Sequence, residues 1–199
     1  APVDALMASH LARFLHPRWL RHSTAASAGT NGNPIHTERI VVGKANAQTP
    51  IFSHEMRHII FHPFWGVPDS IKVNELLPSL QRGGSALARQ NLKLQLNGKE
   101  VDPSRYDWTR TDIRRFHVYQ PPGGGNALGI VKFMFPNKHA VYMHDTPSKS
   151  LFKAGVRTFS HGCMRVQDPV RLAELLLGED RDMSPEQVRA LTRKDAPEN

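Results

Sequence analysis

The segment Tyr142–Val166, YMHDTPSKSLFKAGVRTFSHGCMRV, restricts this chain more than any other. Its lead-in, Ala140-Val141-Tyr142-Met143, reads as a short buried strand, and Pro147 turns the chain just beyond it. His144 and Asp145 are therefore expected at the C-terminal end of that strand. Nineteen residues after His144 comes Cys163, the single cysteine among 199 residues, directly behind Ser160-His161-Gly162. A sulfur nucleophile needs a base for its proton, a tight turn that exposes it and backbone N–H groups for an oxyanion. This segment supplies candidates for all three.

A free cysteine is by default a small buried hydrophobe. Here His161 and Arg165 flank Cys163, and nearby positive charge lowers a thiol pKa. His144 is the candidate general base, since imidazole titrates near neutrality and exchanges a proton readily with a thiol. His161 lies two residues from the sulfur, which makes the more remote His144 the better structural fit. Gly162 suits a sharp backbone approach. Ser160 is expected as hydrogen-bonding support, and Arg165 either as a clamp on a substrate carboxylate or as a brace for its loop. Tyr142 and Trp65 are candidate cleft-wall residues.

His144-Asp145-Thr146-Pro147 followed by Ser160-His161-Gly162-Cys163-Met164-Arg165 resembles the signature of the L,D-transpeptidases, cysteine enzymes with a YkuD-type catalytic domain that cross-link bacterial peptidoglycan. The HDTPSKSLF wording and the long insertion before it are similar to the larger periplasmic members with a capping subdomain. The resemblance runs from about Thr37 to Leu177. It implies a mostly β, sandwich-like catalytic domain, with Cys163 as nucleophile and His144 as base. It also implies that His161 and Gly162 line the oxyanion side and that a neighbouring acceptor holds the base's other ring nitrogen. Asp145 can provide that acceptor through its carbonyl or its carboxylate. The implied reaction joins two third-position stem residues (a 3-3 cross-link) through a thioester, releasing D-alanine from a donor tetrapeptide, with an amine of a second stem as acceptor. Carbapenem-type β-lactams are the implied inhibitors, no cofactor or metal is implied, and the implied location is the periplasm or cell envelope. A hydrolase using the same cysteine and a non-catalytic wall-binding module are the alternatives.

His54-Glu55-Met56-Arg57-His58 spells the HExxH string of zinc peptidases, whose chemistry needs a helix to bring both histidines to one face. Pro50 upstream and the β-branched, aromatic run Ile59-Ile60-Phe61 ending at Pro63 predict a strand instead. Positions four apart on a strand lie about 13 Å from each other, too far to share a metal. Gly123-Gly124-Gly125 lacks a following Gly-Lys-Ser/Thr and reads as a hairpin loop.

The formal charge of +8 and a pI near 10 fit an anionic partner. Nucleic acid is the usual partner for such charge, but Lys and Arg are dispersed and no nucleic-acid signature is present. Cell wall, with its carboxylates and anionic polymers, fits equally well, and charge alone does not decide. No apolar run reaches membrane-spanning length, and an export signal is expected to have been removed or to lie outside this sequence.

Along the chain, residues 1–36 form an atypical N-terminal segment. It has a short helix expected around Leu6 to Leu15 and then the Ser/Ala/Gly/Asn-rich stretch STAASAGTNGNP, which reads as a mobile linker. The catalytic domain takes residues 37–199. Strands are expected at Thr37–Val42, His58–Phe61, Phe116–Tyr119, Gly129–Phe135 and Ala140–Met143. A helical capping insertion spans about 67–115, with helices over Val73–Leu80 and Ala86–Leu96. Two C-terminal helices follow, the second opened by Ser184-Pro185-Glu186-Gln187. Residues 1–33 show no alternating strand pattern and the chain stops soon after Leu191. The sandwich is therefore expected to lack a strand at each end.

Overall fold

The structure, a computed structural model, describes Thr24–Ala28 and residues 34–193. Its hub is strand β2 (Pro34–Gly43), whose Ile40-Val41-Val42 run is apolar and β-branched, as a central strand requires. β2 pairs antiparallel with β1 (Thr24–Ala28), with Thr24 opposite Arg39. It also pairs antiparallel with β11 (Met164–Val166) and parallel with β10 (Thr158–Ser160). The sheet continues through β9 (Met143–His144), β8 (Val131–Met134) and β3 (His58–Phe61), in the order β1-β2-β11-β9-β8-β3.

Period-two alternation sets the faces of this sheet. Val131 and Phe133 on β8, Met143 on β9, and Met164 and Val166 on β11 are buried. They pack with Leu172 and Ala173 of α4 (Pro169–Arg181) and with Val188 of α5 (Pro185–Ala190). Both helices start as their sequences dictate. The Asp168 carboxylate accepts from the Arg171 N–H ahead of Pro169, and Ser184 and Gln187 close the expected capping box. Buried Glu174 then ties the pair together, accepting from Arg171 on its own helix and from Arg189 on α5.

A second lobe is inserted between β3 and β8. Its helical part runs from α1 (Asp69–Ile71) through a π-helical turn (Lys72–Leu76) into α2 (Leu77–Gln81), followed by α3 (Ala86–Arg89). Its sheet has the order β4-β7-β5-β6, formed by β4 (Trp65–Gly66), β5 (Lys93–Leu96), β6 (Lys99–Glu100) and β7 (His117–Gln120). Leu76, Leu87, Leu94, Ile113, Phe116 and Val118 make its core, separate from that of the first lobe.

Several expectations are corrected here. Thr24–Ala28, read as part of a mobile linker, is a strand on β2, so the sheet has a member upstream of residue 35. The Leu6–Leu15 helix lies outside the described residues. The predicted Ala86–Leu96 helix ends at Arg89, because Asn91 takes a left-handed conformation (φ 50°) and the chain then enters β5. The insertion is therefore mixed helix and sheet, not helical throughout. The triple glycine is not a hairpin loop: β7 pairs within the inserted sheet and β8 within the main one, so this loop carries the chain between lobes. Two buried amides hold that crossing. Asn126 Nδ2 donates to the carbonyls of Pro63 and Pro121, each at 2.9 Å. Gln120 Nε2 donates to those of Gln90 and Gly125. His54 and Glu55 precede β3 in non-helical chain, so no helical HExxH face forms.

Candidate active site

The register of three neighbouring strands assembles the site. Lys132 on β8 lies opposite His144 on β9, and His144 lies opposite Arg165 on β11. Alternation sends Val131, Phe133, Met143, Met164 and Val166 into the helix-covered core, leaving Lys132, His144 and Arg165 in one row on the other side. Tyr142 is on this side too, its ring 5.7 Å from the His144 ring and 4.0 Å below the Lys132 ammonium. Cys163 sits one residue before β11, half-buried at the edge of the core. The Met164 N–H donates to the Tyr142 carbonyl at 3.0 Å, which locks the cysteine turn to the chain leading into His144.

The His144 side chain is buried, with Nδ1 donating to the Asp145 backbone carbonyl. This bond fixes the tautomer and leaves Nε2 as the lone-pair nitrogen. Of the two acceptors that Asp145 offers, the carbonyl is the one in contact with His144. The carboxylate is engaged elsewhere, accepting from the Ile130 N–H at 3.0 Å and pairing with Lys149 at 2.6 Å. Burial pushes the His144 pKa down to about 4, helped by the charges of Arg165 and Lys132 and opposed by the Asp145 carbonyl. The imidazole is therefore neutral at physiological pH, in the form that accepts a proton.

Burial also pushes the Cys163 thiol up from its ordinary value. A backbone and a hydroxyl hydrogen bond from Tyr142, then the charges of Lys132 and Arg165, pull the other way without prevailing. The expected cationic surroundings exist, but Lys132 stands where His161 was expected, and desolvation outweighs them. The Tyr142 hydroxyl itself receives a hydrogen bond from Trp65 of β4, so both candidate wall residues touch, and they link the sulfur to the inserted lobe. Burial raises the Tyr142 pKa, keeping the phenol protonated as a donor.

The cysteine turn is braced from within. Ser160 Oγ donates to the Cys163 carbonyl and accepts from the Gly162 N–H at 3.2 Å. Gly162 has φ 113°, a value that side chains rarely allow, and its carbonyl accepts from Thr49 Oγ1 at 2.8 Å. Of the two residues expected on the oxyanion side, Gly162 therefore has its N–H already engaged. His161 turns its side chain outward. Its Nε2 lies 2.9 Å from Glu75 on the π-helical turn and 3.0 Å from Lys44 Nζ, and one ring nitrogen can serve only one of them at a time.

A cavity of about 380 Å³ adjoins the row. Arg165 and Trp65 line it on the side of the row, Thr146-Pro147-Ser148 follow from the strand of His144, and Arg89-Gln90-Asn91 close it from the inserted lobe. Among the described residues, no group of three or more His, Cys, Asp or Glu side chains is placed to hold a metal ion.

Residues 22–188 match the sequence model of YkuD, the L,D-transpeptidase catalytic domain. The chain belongs to the YkuD family. A Haemophilus influenzae protein (strain ATCC 51907 / DSM 11121 / KW20 / Rd), provisionally named an L,D-transpeptidase, is 32% identical over 150 residues. That stretch is 75% of this chain and 31% of the relative, so the chain spans less than a third of the curated protein it matches. The β-rich sheet around β2 agrees with the β-rich fold of a YkuD catalytic domain. Among the described residues, no helix is long and apolar enough to cross a membrane.

The sequence reading missed Lys132. The signal was present: a lone charge at the alternate position of Val131-Lys132-Phe133-Met134. The pairing of that strand with His144's strand was not readable.

Proposed function

We propose that this chain is a peptidoglycan L,D-transpeptidase acting in the cell envelope through a Cys163 acyl-enzyme. The observation that carries the reading is the neutral, buried His144, clamped through Nδ1 by the Asp145 carbonyl, on the same face as Cys163 and tied to it through Tyr142. Because the resting thiol is protonated, the chemistry begins with transfer of the thiol proton to His144 Nε2 as sulfur attacks the donor carbonyl. The thioester bond forms, the C–N bond to D-alanine breaks, and His144 passes its proton to the departing amine. A side-chain amine of a second stem then attacks the thioester, giving its proton to His144, which returns it to the sulfur. The product is a 3-3 cross-link. The inserted lobe, joined to the sulfur through Trp65 and Tyr142 and to the cysteine turn through Glu75 and His161, acts as a cap that keeps water from the thioester. Arg165, on the cavity wall, belongs to the substrate side.

Intact-protein mass spectrometry after incubation with a tetrapeptide stem, and separately with a carbapenem, tests this. One adduct per chain is expected on the wild type and none on Cys163→Ala. His144→Ala should slow acylation by about a hundred- to ten-thousand-fold. Addition of an amine acceptor should convert the peptide adduct to cross-linked product, whereas release of free acid alone would identify a hydrolase. Equal acylation of the cysteine variant would reject the mechanism.

A further inference from the structure

We propose that Lys132 and Arg165 together form a carboxylate-binding site beside Cys163 that reads the free C-terminal carboxylate of the donor's departing residue. The proposal rests on the acyl-enzyme reading above and adds the residues that select its substrate.

The geometry is set by the sheet register. Lys132 and Arg165 are both in register with His144, one on each side, so their Cα atoms are separated by two strand spacings, roughly 10 Å. Side chains as long as lysine and arginine can converge over that span on a group held above the imidazole. Both also act electrostatically on the sulfur and on His144, so their charges are felt at the reacting atoms.

Among the described residues, no carboxylate neutralises either cation. Elsewhere basic side chains meet carboxylates: Lys93 with Glu100, Arg114 with Asp112, Lys149 with Asp145, Arg189 with Glu174. Among the described residues, the Lys132 ammonium has the Tyr142 ring face as its partner and no carboxylate. Among the described residues, buried Arg165 Nε has no hydrogen-bond partner. Two desolvated cations without an anion are costly for a fold to keep. A ligand carboxylate between them would offset both charges, and a guanidinium can bind a carboxylate bidentately.

Distance from the reacting carbon identifies which carboxylate. In a stem ending in a single amino acid beyond the scissile bond, the carboxylate carbon is separated from the attacked carbonyl carbon by only the leaving nitrogen and one Cα. It must therefore sit within a side-chain length of the sulfur, where the row is. A stem with one more amide-linked residue presents a neutral amide at that place. The site thus discriminates by charge between a donor that ends there and one that continues.

The test measures acylation rates by intact mass for two peptides differing only at the C-terminus, a free carboxylate or a carboxamide. Wild type is expected to favour the carboxylate by about ten- to a hundred-fold, the worth of a charge-assisted contact. In Lys132→Gln the ratio should collapse toward one, and in Lys132→Arg it should largely return. The pH dependence of iodoacetamide alkylation, followed in the same variants, reports the thiol separately. A Lys132→Gln variant that shifts the alkylation profile while keeping the wild-type ratio would assign the lysine to the sulfur and overturn the proposal. So would a wild type that acylates equally fast with both peptides. A wild type acylated by neither peptide would remove the acyl-enzyme reading itself.

Discussion

At the residue scale, the two acceptors of Asp145 are divided between different partners, and that division decides how His144 is held. His144 Nδ1 is bound by the Asp145 carbonyl, while the carboxylate supports Ile130 and Lys149. Asp145→Asn keeps the carbonyl. Acylation is therefore expected to fall by less than about tenfold, with a stability loss of about 1 kcal/mol from the weakened Lys149 and Ile130 contacts. A carboxylate acting as the orienter would instead cost several thousand-fold on substitution by the amide, as in Asp-His dyads. Single-turnover acylation and urea unfolding of this one variant separate the two roles. Turn residues and spacing are local signals and made Cys163, His144 and Asp145 candidates together. The expected Ala140–Met143 strand, however, is only Met143–His144, because Ala140 is left-handed (φ 53°) and His144 itself lies in the strand. The sequence left the choice between Asp145's two acceptors open, because that choice depends on where Ile130 and Lys149 lie in space. Lys132 stayed hidden for the same reason, since its importance comes from the pairing of β8 with β9.

At the element scale, the cysteine turn and the β8 entrance are each held by one small residue. Ser160 Oγ bridges the Gly162 N–H and the Cys163 carbonyl, holding a turn whose glycine is in a conformation closed to side chains. Gly129, at φ 60°, packs so closely on Asp145 that an added Cβ would collide with its carboxylate. Gly129→Ala is expected to destabilise the protein by roughly 1–3 kcal/mol and to slow acylation by displacing Asp145 and hence His144. Ser160→Ala is expected to cost about as much by leaving two buried backbone groups unpaired, while leaving the base in place. The readouts differ: carbapenem acylation by Gly129→Ala should fall with the base misplaced, and Ser160→Ala should instead show faster amide exchange across the turn. Element boundaries were legible where caps announce them, as at Ser184-Pro185-Glu186-Gln187. They failed where tertiary pairing overrides local pattern. Thr24–Ala28 has linker-like composition and becomes a strand because β2 offers it an edge. Lys93–Leu96 continues a helical spacing and becomes a strand because β7 lies beside it.

At the scale of the whole molecule, two separate cores meet at a site that buries a neutral imidazole, and this links folding to pH. The His144 pKa is pushed down to about 4 from an ordinary 6.5. As the pH falls below about 6.5, the unfolded chain takes up a proton that the folded chain refuses until about pH 4. Stability is lost across that window, and the loss is complete below it. The interval corresponds to about 3 kcal/mol, as an order of magnitude, from this one group. Urea midpoints measured from pH 7 to pH 4 should therefore fall less steeply in His144→Gln than in wild type. Buried Glu38 titrates in both proteins, its pKa raised by burial, so its contribution cancels in the comparison. Parallel curves for the two proteins would mean that His144 is solvated and protonates freely in the fold. In that case the resting base would carry its proton through mildly acidic pH, and acylation would decline near pH 6.5 instead of near pH 4. Measuring both the stability and the acylation profile therefore asks one question of the site, whether the packing of the two lobes keeps its base dry.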